Sequence, residues 1–304
     1  MTQLSSHLQG IVTVLNTPFS ADDRLDIESL QKHILNALEA GVAGFLVPAM
    51  AAEVSKLSES ERILMAQTTV QTVNGRVPVI GGASAPTSEE RERYARQLID
   101  VGCQGILASI PFVDEADYEE QVWQLADLKP SFIMLQDWDF QGYGLPLSLI
   151  VRLFKTIPAF QSIKIEVVPA GVKYSEVIQA TQGKLHVAGG WAVTQMIEAL
   201  DRGVHTLMPT GMHRIYTRID ELYRMGKRDE AKALFYRVLP ILSFSNQHLD
   251  ISIHFFKRLL HQQGLYATAN VRSPILPFDP CHERIATELI DDVQAILAEL
   301  PPAY

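Results

Sequence analysis

The sequence predicts an α/β fold of the (β/α)8, TIM-barrel type with a C-terminal helical extension. Three observations predict it. About eight short apolar runs alternate with helix-patterned segments at intervals of roughly 20 to 35 residues, the repeat expected of parallel strands joined by helical crossovers. The runs are short and nearly continuous in apolar character, as strands buried on both faces are. Beyond Gly226 the pattern is purely helical. An open doubly wound sheet is the alternative, but no G-x-G-x-x-G follows the first run and no P-loop occurs anywhere.

In order, Ile11–Leu15 reads as a strand closed by Asn16-Thr17-Pro18-Phe19. Asp26 can cap a helix whose Ile27, Leu30, Ile34 and Leu38 repeat at helical spacing, with Gly41 ending it. Gly44–Val47 is the second strand, and Ser58 with Glu61 forms a capping box for the next helix. Val77–Ile80 is a strand, Thr87 and Glu90 cap a helix through Ile99, and Gly105–Ala108 is the fourth strand. The pattern continues with a helix at Tyr118–Leu128, a strand at Phe132–Leu135 and a helix at Leu145–Thr156. Ser162–Val168 is the sixth strand, followed by a helix near Tyr174–Thr181, a strand at Leu185–Ala188 and a helix through Leu200. Thr206–Met208 completes the eight, with a helix from about His213 to Met225. Residues 1–225 are therefore expected to form the barrel, and residues 226–304 a helical segment packed on it, with helices at Asp229–Leu242, Asp250–Gln263 and Glu283–Leu300.

Composition narrows the class. An apolar share of 47% leaves material for a real core, and a net charge of −9 argues against a general nucleic-acid or anionic-membrane surface. Cys103 and Cys281 stand far apart with no C-x-x-C, so a disulfide scaffold is not expected and a reducing cytoplasm is. Met1–Gly10 has neither the basic region nor the apolar core of a signal peptide, and the longest uncharged apolar stretch, Gly41–Ala52, is too short to span a bilayer.

In such a barrel the site lies at the C-terminal ends of the strands. The residues expected there include Met50, Ala51 and Glu53 after the second strand, and Gln136, Asp137 and Asp139 after the fifth. Lys164 and Glu166 lie on the sixth, Gly189 to Trp191 follow the seventh, and Met208 ends the eighth. Lys164 is the one lysine in that ring. Side chains alternate across a strand, so Lys164 and Glu166 share one face while Ile163, Ile165 and Val167 share the other. A solvated polar face, or a Lys164–Glu166 pair at a sheet edge, is the plainer reading of the strand alone. The barrel position turns Lys164 towards the mouth, where a lysine amine could serve as a nucleophile.

Other chemistries are poorly supplied. No His-Glu-x-x-His occurs, and His254 and His261 stand at heptad spacing on a tail helix, so zinc is not expected. There is no G-x-S-x-G elbow. Asp137 and Asp139 flank Trp138 and could ligate magnesium, but hydrogen bonding within a polar loop is the plainer reading; no metal and no cofactor are expected.

A set of segments then carries a resemblance. Asn16-Thr17-Pro18-Phe19, Gly41-Val42-x-Gly44 leading to Glu53, Leu57-Ser58-x-x-Glu61-Arg62 and Pro78-Val79-Ile80-x-Gly82 stand in one order. Ile163-Lys164, Val187-x-Gly189, Gly226-x-x-x-x-Ala231 and Val271-Arg272-x-Pro274 follow. Together they resemble the dihydrodipicolinate synthase/N-acetylneuraminate lyase family over nearly the whole chain. The resemblance implies that Lys164 forms an imine with the ketone of a 2-oxo acid such as pyruvate, and that subunits pair into dimers or tetramers. An iminium nitrogen is an electron sink, permitting loss of a C3 proton or cleavage of the C3–C4 bond. The amine must be neutral to attack, and an ionised Glu166 nearby would oppose that unless it accepts or relays the proton.

The chain also departs from the family. The family's Gly-Thr-Thr-Gly-Glu loop, which binds the substrate carboxylate, stands here as Ala49-Met50-Ala51-Ala52-Glu53, so both threonine hydroxyls are replaced while backbone amides of Met50 and Ala51 remain for the carboxylate. The tyrosine that acts as general acid and base aligns with Gln136-Asp137, and an amide cannot exchange a proton usefully at neutral pH. The tyrosine supplied by a neighbouring subunit aligns near Phe112 or Val113, and Gln141 stands roughly where the lysine-biosynthesis enzymes carry an arginine for the second substrate. The resulting reading is a divergent aldolase or dehydratase on pyruvate or another 2-oxo acid, with Lys164 as nucleophile and Glu166 or Asp137 as proton carriers. The alternatives are a homologue that binds a small oxo acid without turnover, and an authentic 4-hydroxy-tetrahydrodipicolinate synthase with a rearranged proton relay.

Overall fold

The computed structural model describes residues 8–301. Eight parallel strands close into a barrel in chain order, as expected: β1 (Gly10–Val14), β2 (Gly44–Val47), β3 (Val79–Gly82), β4 (Gly105–Ala108), β5 (Phe132–Asp139), β6 (Phe160–Val167), β7 (His186–Gly189) and β8 (Thr206–Leu207). By contact the described residues group into two compact units: those up to Val12 with Pro78–Met208, and Thr13–Val77 with the residues from Pro209 onward.

The second of these holds α1 (Ile27–Glu39) and α2 (Glu59–Val73), and the first holds α3 (Ser88–Asp100), α4 (Glu115–Asp127), α5 (Leu147–Thr156), α6 (Ala170–Ala180) and α7 (Met196–Asp201). After β8 the chain returns to the second unit with α8 (His213–Arg224), α9 (Arg228–Ser245), α10 (Leu249–Gln262) and α11 (Pro280–Glu299). The helical tail thus belongs to the same compact unit as α1 and α2.

Within the unit of β3 to β8, the core is built as the periodicities require. Ile163 and Ile165 of β6, Leu149 and Leu153 of α5, and Tyr174 and Val177 of α6 are all buried. Each such aliphatic side chain contributes about 1.5–3 kcal/mol on leaving water. Thr87 and Asp114 cap α3 and α4 by accepting the N–H groups of Glu90 (3.2 Å) and Asp117 (2.9 Å), which places the start of α4 three residues before the expected Tyr118.

One difference bears on the site. β5 does not stop at Leu135 but runs to Asp139, because β6 is equally long and pairs with it from Met134↔Ser162 to Asp139↔Val167. Gln136, Asp137 and Asp139 are therefore strand residues, and the polar loop expected around Trp138 begins only at Phe140.

In the other unit the Ser58–Glu61 capping box forms as expected, with the Ser58 hydroxyl accepting from Glu61 N–H (3.3 Å) and the Glu61 carboxylate from Ser58 N–H (2.9 Å). Gly211, at φ +60°, precedes α8. A Cβ there would stand 2.4 Å from the Phe256 ring of α10, so only glycine permits that approach. Among the described residues no helix is long and apolar enough to cross a membrane.

Candidate functional site

β6 places Lys164 and Glu166 on one face, as alternation requires, and register pairs Gln136 of β5 with Lys164. The three side chains meet and all are buried. Lys164 Nζ lies 2.9 Å from Glu166 Oε2, and the Gln136 amide donates to the same oxygen at 2.5 Å. The other carboxylate oxygen, Oε1, accepts the backbone N–H of Trp191 at 2.9 Å. Glu166 is thus held by an ammonium, an amide and a main-chain donor.

Gly190 makes this clamp possible. A Cβ at Gly190 would fall 2.1 Å from Glu166 Oε1, so any side chain there would displace the carboxylate. The turn Trp191–Gln195 that follows β7 aims its first N–H at Glu166.

Asp137 points elsewhere. Its Oδ2 lies 2.6 Å from Lys173 Nζ of α6, both side chains being almost wholly enclosed, and its Oδ1 accepts Leu145 N–H at 2.8 Å. Lys173 also donates to the carbonyls of Tyr143 and Leu145, the latter at 2.7 Å. Burial pushes the Asp137 carboxyl up, and the Lys173 ammonium works against that shift. The structure therefore joins Gln136 with Lys164 and Glu166, and commits Asp137 to a brace between β5, the Gly142–Leu145 turn and α6. Asp139 accepts N–H groups from Gln141 (3.0 Å), Gly142 (2.8 Å) and Gly144 (3.2 Å), which hold its carboxyl below the usual range.

Gly189 ends β7 in register with Ile165, and its carbonyl accepts Met208 N–H at 2.8 Å; Met208 is buried just beyond β8.

In the second unit, Met50 and Ala51 lie half-buried in the one-turn helix Met50–Ala52, which closes through Ala52 N–H to Ala49 (2.9 Å) and Glu53 N–H to Met50 (3.0 Å). Asn16 steadies the turn by donating to the Ala51 carbonyl at 2.9 Å, and Thr17 to that of Ala52 at 2.6 Å. Glu53 sits in the left-handed region (φ 55°), an unfavourable place for a residue with a Cβ. Its buried carboxylate explains how it stays there. Oε1 pairs with Lys257 of α10, while Oε2 takes Lys56 Nζ (3.2 Å) and Arg272 N–H (2.9 Å). Burial brings the Lys257 ammonium down to about 8, against the opposing pull of Glu53.

Lys173 and Lys257 escaped the sequence reading, as did the close approach of Gly190 to Glu166 within the expected Gly189–Trp191 stretch. The lysines were legible in part: Lys173 stands on a buried helical stripe with Tyr174 and Val177, and Lys257 with Ile253, Phe256 and Leu260. A lysine on an apolar stripe signals a buried partner, but not which one.

A model of the dihydrodipicolinate synthetase family matches residues 7–295. L-2-keto-3-deoxyarabonate dehydratase of Azospirillum brasilense is 25% identical over 282 residues, covering 90% of each chain. 4-hydroxy-tetrahydrodipicolinate synthase of Methanosphaerula palustris (strain ATCC BAA-1556 / DSM 19958 / E1-9c) is 25% identical over 297 residues, 93% of this chain and 98% of that one. The solved 4-hydroxy-tetrahydrodipicolinate synthase of Methylacidiphilum fumariolicum SolV shares the fold with a TM-score of 0.85 at 20% identity, covering 96% of this chain and 97% of that one.

Proposed function

The chain belongs to the dihydrodipicolinate synthetase family, and from that premise we propose that it is a Schiff-base-forming lyase or dehydratase of 2-oxo acids, with Lys164 as nucleophile and Glu166 as proton carrier. The observation that carries this reading is the buried 2.9 Å contact between Lys164 Nζ and Glu166 Oε2.

The ion pair discharges by moving one proton from Nζ to Oε2, leaving the neutral amine that attack requires. The amine adds to C2 of the oxo acid, water leaves, and the iminium so formed withdraws electrons from C3. The Glu166 carboxylate, returned to its ionised form as water departs, takes a C3 proton to give the enamine. A hydroxyl on C4 then leaves as water when Glu166 returns that proton, which completes a dehydration. If Glu166 instead takes the proton of the C4 hydroxyl, the C3–C4 bond breaks and an aldehyde departs. Gln136 and the Trp191 N–H hold the carboxylate in place for either step. A glutamine at Gln136 fits a positioning role, since its amide donates without titrating. The dehydratase branch draws support from the similarity to L-2-keto-3-deoxyarabonate dehydratase, at 25% identity over 90% of both chains.

Borohydride reduction in the presence of pyruvate, followed by peptide mass analysis, tests the reading. An adduct on the peptide bearing Lys164 is expected. Absence of any adduct across a panel of 2-oxo acids would overturn it, and an adduct without turnover of any 4-hydroxy-2-oxo acid would leave a binding protein instead.

A further inference from the structure

Beyond Lys164 and Glu166 the same compact unit carries an aromatic cluster that the chemistry above does not use. Trp138 pairs in register with Glu166, one step past Gln136 on the same phase of β5. Phe140 follows it, and Trp191 is the residue whose N–H holds Glu166. Phe140 lies edge-on to both tryptophans, with centroids 5.6 Å from Trp138 and 6.1 Å from Trp191. Yet Trp138 and Phe140 remain 42% and 47% exposed. Aromatic surface left in water at the end of a strand that carries a reactive pair is unfavourable by itself and fits a ligand that covers it.

Two polar groups beside the cluster are engaged elsewhere. Asp139, between Trp138 and Phe140, accepts three backbone N–H groups, and the Tyr143 hydroxyl donates to Glu176 at 2.8 Å. Those contacts leave flat apolar faces as the feature on offer. Asp139 and Glu166 are carboxylates beside it, so a second anionic group on the substrate would meet repulsion. The positive edge of an aromatic ring would not.

We propose that Trp138, Phe140 and Trp191 form a stacking subsite for the distal part of the substrate, and that this part is an uncharged aryl group on a 2-oxo acid. The proposal rests on the reading that Lys164 forms the imine.

Borohydride trapping on the full chain tests it with four probes: pyruvate, 4-phenyl-2-oxobutanoate, 2-oxoadipate and 2-keto-3-deoxygluconate. The phenyl compound is expected to half-saturate adduct formation at Lys164 at a concentration roughly tenfold below that of pyruvate, the scale of one or two aromatic contacts. In Trp138→Ala and Phe140→Ala that ratio collapses towards one; both side chains are substantially exposed, and circular dichroism verifies the fold of each variant. Equal trapping of the phenyl compound and pyruvate by the unaltered protein overturns the subsite. Preference for 2-oxoadipate or the polyhydroxy acid overturns its aryl character. A fall in molecular mass by light scattering on Trp138→Ala overturns it in favour of a contact between copies of the chain. Failure of pyruvate itself to trap overturns the Schiff-base reading, which the other outcomes leave standing.

Discussion

Glu166 and Gly190 stand in a relationship of necessity: the carboxylate of the first occupies the space where the second would carry a Cβ, 2.1 Å from Oε1. The catalytic candidate is therefore positioned partly by what its neighbour lacks. Gly190→Ala is expected to push the carboxylate off the Trp191 N–H and away from Lys164, with overpacking costing about 1–3 kcal/mol. Chemical denaturation and turnover, measured on the same preparation, check this. Unchanged turnover would show that the clamp on Glu166 is dispensable.

Glu166→Gln keeps the shape and removes the titratable group. The imine should form on Lys164 more slowly, because no carboxylate takes the Nζ proton before attack, and turnover falls by roughly 10²–10⁴, the usual worth of a positioned acid or base. Adduct mass and kcat on one substrate separate the two effects. If kcat survives, the proton travels by another group.

Lys257→Met should destabilise strongly. It leaves the buried Glu53 carboxylate with Lys56 and one backbone N–H, and breaking a buried pair from one side costs about 3–5 kcal/mol. Adding Glu53→Gln should recover part of that loss, because the orphaned charge goes with it. Urea unfolding of the two single variants and the double variant gives the coupling; simple additivity would contradict the pairing.

Stability should also fall in mild acid. Burial holds the His213 imidazole down to about 4 and that of His186 to about 3, and keeps His33 well below 6.5. His33 and His213 share a hydrogen bond at 2.8 Å, and His33 meets the Tyr266 hydroxyl at 2.9 Å. Below pH 6.5 the unfolded chain therefore binds protons that the folded chain refuses. The stability these groups contribute is complete above pH 6.5, and it drains away as pH falls towards 4 and, for His186, towards 3. Each contributes a slope of up to about 1.4 kcal/mol per pH unit. His213→Gln should lower the proton uptake on unfolding near pH 5.5 by about one. An unchanged slope would show that His213 already titrates normally in the fold.

Much of the architecture was legible because it depends on local periodicity. The barrel and its chain order follow from short apolar runs spaced by helical segments, and the caps at Ser58, Thr87 and Asp26 from side chains next to the N–H groups they satisfy. β5 was read four residues short, because Gln136-Asp137-Trp138-Asp139 looks like a turn until β6 is seen to pair with it. A strand's length depends on its partner as much as on its own residues.

The sequence by itself determined that Lys164 and Glu166 share a face, since a strand alternates with period two whatever surrounds it. Only the tertiary structure decided what each charged group meets. It turned Gln136 towards Glu166 and Asp137 towards Lys173 from adjacent positions on β5. It also brought Lys257 to Glu53 across 204 residues of chain. Backbone geometry sets which way a side chain points, and chain-distant packing sets what waits there. The fold could thus be read from spacing, while the partners of the buried charges could not.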